Sequence, residues 1–75
     1  MVVAVCFINV RLGEEVKTRR KLSMFQGVRD VIELFGEYDF MLVIEADDLR
    51  QVNFIVDSVR KLEGVTATKT LVGAY

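Results

Sequence analysis

Two short stretches combine residue types that can hold a small charged molecule. The first is Gly36-Glu37-Tyr38-Asp39. Asp39 can accept hydrogen bonds from an ammonium group, and Tyr38 offers an aromatic wall. Free backbone N–H groups near Gly36 can donate to a carboxylate. The second is the alternating run Thr66, Thr68, Thr70. On a strand, residues two apart share a face, so these hydroxyls would line one side and suit a zwitterion. Turn chemistry and β-propensity explain the same residues without any ligand.

Other reactive types point to structure. There is no histidine, so the usual acid–base residue is missing and no enzyme activity is expected. Glu14-Glu15 and Asp47-Asp48 stand at expected helix starts, where carboxylates favour the helix dipole. Cys6 is the single cysteine and lies in an apolar run, which reads as an inert core thiol. One thiol and no histidine exclude a disulfide and a Cys/His zinc site, and no cofactor is expected. The run Lys17-Thr18-Arg19-Arg20-Lys21 exceeds one helical turn, so its charges cannot share a face; it reads as solvated helix surface.

The elements that position these residues follow from periodicity. Val2 to Val10 is β-branched and reads as a strand. A helix is expected from Glu14 to about Phe25, acidic first and basic later, with a thin apolar face of Val16, Leu22 and Phe25. Val28 to Phe35 and Phe40 to Ala46 read as strands joined by the tight 36–39 turn. Asp48 with Gln51 forms a capping-box variant. Leu49, Val52, Ile55, Val56, Val59 and Leu62 then make one apolar stripe that stops at Gly64. Val65 to Val72 closes as a strand.

The order β-α-β-β-α-β predicts an α+β, ferredoxin-like fold. Its four-stranded antiparallel sheet carries both helices on one face, with Val2–Val10 and Phe40–Ala46 as the central pair. Seventy-five residues allow one domain, residues 1–75. Both central strands are apolar on both sides, and 52% of the chain is hydrophobic, more than two helices on one face can cover. The uncovered face measures roughly 400 Å² in projection. Burying it would contribute about 10 kcal/mol gross, which predicts a face-to-face homodimer.

A net charge of −1 gives no cationic field for DNA or anionic membrane. No apolar run reaches the roughly 18 residues of a membrane span. A lone thiol and no export signal make the cytoplasm the expected location.

The sequence resembles the effector (RAM) domain of the Lrp/AsnC family of feast/famine transcription regulators. The residues that carry the likeness are Val10-Arg11-Leu12-Gly13-Glu14-Glu15, Leu34-Phe35-Gly36-Glu37-Tyr38-Asp39-Phe40 and Glu45-Ala46-Asp47-Asp48-Leu49. Leu62-Glu63-Gly64-Val65 and Thr68-Lys69-Thr70 complete it. The first helix departs, being longer and more basic than the family pattern. The resemblance implies dimers formed through the sheet, closing into rings (an octamer or decamer). It also implies an amino acid effector bound between dimers near Gly36, Tyr38, Asp39, Thr68 and Thr70, and full-length Lrp/AsnC regulators as partners. The helix-turn-helix of those regulators is not in this sequence, so direct DNA binding is not expected. The competing reading is an interaction module with a vestigial pocket.

Overall fold

The nine residues Val2–Val10 form β1, the strand on which the other elements are assembled. The computed structural model describes residues 1–74. After β1 come α1 (Glu15–Leu22), β2 (Val28–Glu33), β3 (Phe40–Ala46), α2 (Leu49–Arg60) and β4 (Val65–Ala74). The sheet order is β2-β3-β1-β4, with every neighbouring pair antiparallel. This is the expected ferredoxin-like arrangement, with β1 and β3 in the centre.

Register decides which side of each strand is core. Ala4, Cys6 and Ile8 pair with Ile44, Leu42 and Phe40, and all six are buried. They form one cluster with Leu22 of α1 and Val52, Ile55, Val56 and Val59 of α2, so both helices cover this face. The opposite face presents Val3, Val5 and Phe7 beside Met41 and Val43, flanked by Ile32 and Leu71. Among the described residues no element packs over it, and Leu71 remains 54% exposed.

The cap of α2 forms as its residue types require. Asp48 Oδ1 accepts the backbone N–H of Gln51 at 2.9 Å, and Gln51 Oε1 accepts that of Asp47 at 2.9 Å. The reciprocal bond thus reaches one residue further back than in a standard capping box. Leu49 was expected on the buried stripe but is 54% exposed. At 100° per residue it lies about 70° from the stripe's centre. It is also the first helical residue, and its side chain points back past the helix end.

α1 is shorter than expected and ends at Leu22. Its chain then tightens into i→i+3 turns, with Met24 N–H donating to Lys21 O at 3.2 Å and Phe25 N–H to Leu22 O at 3.3 Å. Val16, expected inside, is 74% exposed. Thr18 takes the inward place, fully buried, and its hydroxyl has no hydrogen-bond partner among the described residues. β2 stops at Glu33, two residues before the expected Phe35, which stands fully in solvent.

Candidate functional site

β3 starts at Phe40, so Val10 on the neighbouring strand faces no main-chain partner on that side. The turn before β3 supplies one. Asp39 Oδ2 accepts the Val10 N–H at 2.8 Å. Its own N–H donates to Ile8 O at 2.9 Å and to Asn9 Oδ1 at 3.2 Å. Leu34 N–H donates to Asp39 O at 2.9 Å and closes the turn. Asp39 therefore ties the 34–39 segment to the end of β1. Gly36 sits within that segment at φ +130°, a conformation that excludes a side chain for backbone reasons, since the space around it is open. Tyr38 leans on Phe7 with ring centroids 5.4 Å apart, so it extends the apolar open face of the sheet.

On the helix side of the turn lies a groove of about 340 Å³ between α1 and the β2–β3 connection. Leu34 and Phe40 line it with Glu15, Glu33, Asp39 and Arg19. Arg19 Nη1 donates to Glu33 Oε1 at 3.0 Å across this groove. Carboxylates thus outnumber the guanidinium, and an apolar floor lies beneath both. That mixture matches an ammonium group with a carboxylate attached to an apolar body.

The threonines of β4 stand elsewhere. Thr68 and Thr70 pair with Ile8 and Cys6, whose side chains point toward the helices. Arg60 Nε–H donates to Thr68 Oγ1 at 2.9 Å. The Thr70 hydroxyl donates to Cys6 Sγ at 3.5 Å. Thr66 donates to Asn9 O at 3.2 Å, beside the bulge that shifts register between Asn9 and Val10. A shallow groove of about 260 Å³ runs past Arg60, Thr66 and Thr68. Within one chain, Gly36, Tyr38 and Asp39 cluster at the turn, and Thr68 and Thr70 lie across β1 from it.

Glu33 and Arg60 belong to these surfaces and were not singled out from the sequence, and Arg19 was read there only as solvated helix surface. Their partners lie in other elements, so no local spacing signals them. Burial pushes the Cys6 thiol up, and the Thr70 hydrogen bond and the charge of Arg60 only partly offset this. The thiol is therefore held protonated, the opposite of an activated nucleophile. Asp30, then Glu45, raises the pKa of Arg29 through hydrogen bonds of 3.1 and 2.6 Å. Among the described residues, no group of Cys, Asp or Glu is gathered as a metal site would need. No described helix is long and apolar enough to cross a membrane.

A family model described as the Lrp/AsnC ligand binding domain matches residues 4–73. The chain belongs to this family. The Lrp/AsnC domain also matches part of much longer proteins: homocitrate synthase of Sulfurisphaera tokodaii is 39% identical over 66 residues. Those residues are 84% of this chain and 14% of that protein. The chain thus spans about 14% of the length of the curated relatives it matches. A hypothetical protein from Pyrococcus horikoshii has the same fold with a TM-score of 0.91 and 28% identity, over 100% of this chain and 92% of that one. A transcriptional regulator from Neisseria meningitidis, solved as its L-Met complex, shares the Lrp/AsnC fold at 17% identity. Its TM-score is 0.80, over 99% of this chain and 50% of that chain.

Proposed function

We propose that this Lrp/AsnC domain is a regulatory module that binds a free amino acid and acts through self-association, not through catalysis. Dimers form through the open sheet face and assemble further into rings. Through the assembly the domain modulates transcription regulators of its own family. Binding to DNA or membrane has no part in this reading.

The observation that carries the binding role is the groove beside Asp39, where carboxylates and a guanidinium surround the apolar floor of Leu34 and Phe40. One oxygen of Asp39 is taken by Val10, which leaves the other available to an ammonium group. Gly36 and Tyr38 shape the turn above it, and Thr68 and Thr70 of a neighbouring subunit complete the site. The Neisseria regulator, solved with L-Met, supports an amino acid as the ligand class. Isothermal calorimetry with the proteinogenic amino acids tests this reading. Heat that saturates for at least one of them is expected. No binding at millimolar concentration of any of them overturns the sensing role.

A second reading has its own observation. The Thr68 and Thr70 hydroxyls and one Asp39 oxygen already have partners inside the chain. A domain whose polar groups are satisfied this way serves as an interaction module, with the oligomer as its function. Self-association is common to both readings and is tested by light scattering of the wild type and Val5→Asp. The wild type is expected as a dimer or larger at micromolar concentration, and the variant as a folded monomer.

A further inference from the structure

The groove between α1 and the β2–β3 connection carries an unbalanced charge. One wall is α1, with Glu15, Val16 and Arg19. The other is the end of β2 and the turn into β3, with Glu33, Leu34, Asp39 and Phe40. Glu15 and Arg19 are four residues apart and share a face of the helix. Arg19 is bound to Glu33 at 3.0 Å, and these two charges cancel. Asp39 Oδ2 accepts a neutral N–H from Val10, which leaves the carboxylate charge uncompensated. Glu15 has no ion pair among the described residues, whereas its neighbour Glu14 is paired with Arg11 at 3.4 Å. Three carboxylates against one guanidinium leave the groove negative, with Glu15 and Asp39 as its free charges.

Other cations do not correct this. Lys17 and Arg20 stand about 160° and 140° round α1 from Glu15. The Thr68 and Thr70 strip, placed above in the same site from a neighbouring subunit, has uncharged hydroxyls. The Arg60 bound to Thr68 lies 3.8 Å from Asp57, so that strip adds no net charge.

The excess discriminates among amino acids by their side chains. With an uncharged side chain, the ligand brings one ammonium group, which pairs with one free carboxylate. The other carboxylate is then left against apolar ligand surface, partly desolvated and unpaired, which is costly. A second cation on an apolar stem removes that cost. The stem can lie on Leu34 and Phe40, as long basic side chains lie along apolar surface. Arg19 donates one hydrogen bond to Glu33, and its remaining N–H groups can hold the ligand carboxylate.

We propose that the groove selects an amino acid with a cationic side chain, its α-carboxylate on Arg19, its α-ammonium on Asp39 and its distal cation on Glu15. The inference rests on the amino acid binding proposed above and adds the class of ligand.

Calorimetry of the wild type with lysine, norleucine and cadaverine tests it without any variant having to fold. Norleucine is lysine without the distal ammonium, and cadaverine is lysine without the carboxylate. Lysine is expected to bind about 10-fold or more tightly than either. Glu15→Gln should weaken lysine about 10-fold and leave norleucine unchanged, and the unchanged norleucine shows that the variant is folded. If norleucine or methionine binds as tightly as lysine, the cationic class is wrong while amino acid binding stands. Cadaverine as tight as lysine overturns the role of Arg19 and makes the ligand a diamine. A lysine preference that survives Glu15→Gln overturns the placement of the distal cation. If no amino acid binds at millimolar concentration, the sensing role itself falls, and this inference with it.

Discussion

The carboxylate of Asp39 accepts the backbone N–H of Val10 at 2.8 Å, from a turn 29 residues further along the chain. A residue proposed for ligand binding therefore also closes the fold. Asp39→Ala leaves a half-buried N–H without an acceptor and removes a charge-assisted bond. The expected loss of stability is about 1.5–3 kcal/mol in a denaturant titration. Asp39→Asn keeps an acceptor oxygen and loses less. Weak amino acid binding by the alanine variant alone is thus not diagnostic. The informative comparison is calorimetry of the asparagine variant at a temperature where both it and the wild type are folded.

The buried hydroxyl of Thr18 faces the corner between α1 and Gly64 without a partner among the described residues. Thr18→Val keeps the branched shape and deletes the polar atom. Stability is expected to rise by about 1 kcal/mol, because an unsatisfied buried hydroxyl costs about that much or more. Gly64→Ala goes the other way. Gly64 sits at φ +102°, and an added Cβ would lie 2.9 Å from both Thr18 Oγ1 and Glu14 Oε2. A loss of more than about 1 kcal/mol is expected by thermal unfolding.

Because burial raises the Cys6 pKa, the folded state holds the thiol proton more tightly than the unfolded chain. The resulting stabilisation is fully present below the unfolded thiol pKa of about 8.5. It is lost as pH rises from there through the folded value. Chemical denaturation of the wild type is expected to show stability falling above about pH 8.5, and Cys6→Ala should lose that slope along with some packing. Alkylation by iodoacetamide at pH 8 should be slow in the native state and fast after unfolding. Fast native labelling would contradict the buried, protonated thiol.

Residues on α2 separate cleanly by burial. Ile55→Ala should cost about 2–5 kcal/mol, since its side chain is buried between helix and sheet. Leu49→Ala and Phe54→Ala should each change stability by less than about 0.5 kcal/mol, as Phe54 is 71% exposed. An urea titration of the three variants checks the order. A large loss at Phe54 would mean that its exposed ring is covered in the assembly.

Much of the fold was legible because its signals are local. The α2 stripe, its Asp48 cap, the two-sided apolar runs of β1 and β3 and the glycines at four of the five breaks all lie within a few residues of what they determine. The inward face of α1 was legible in principle. Thr18, Leu22 and Phe25 fall at i, i+4 and i+7, whereas Val16 and Leu22 lie about 120° apart on a helix. Hydropathy favoured Val16, and geometry placed Thr18 inside. The candidate site was less legible, since its parts meet only through register. That Thr68 and Thr70 share the side of Ile8 and Cys6 depends on how β4 slides along β1. A slip of one residue would turn both hydroxyls to the open face. The Arg19–Glu33 and Arg60–Thr68 bonds join elements whose approach no spacing announces.

Val2 pairs with Ala74, so the polypeptide enters and leaves this sheet on neighbouring strands. Two ends about 5 Å apart make the domain portable. Spliced into a surface loop of another protein, it would ask the host to bridge a gap no wider than that of a short turn, with little loop-closure entropy lost. The same proximity permits rewiring: a brief linker between the ends, with the chain reopened at the exposed turn around Gly36, would leave every strand pairing in place.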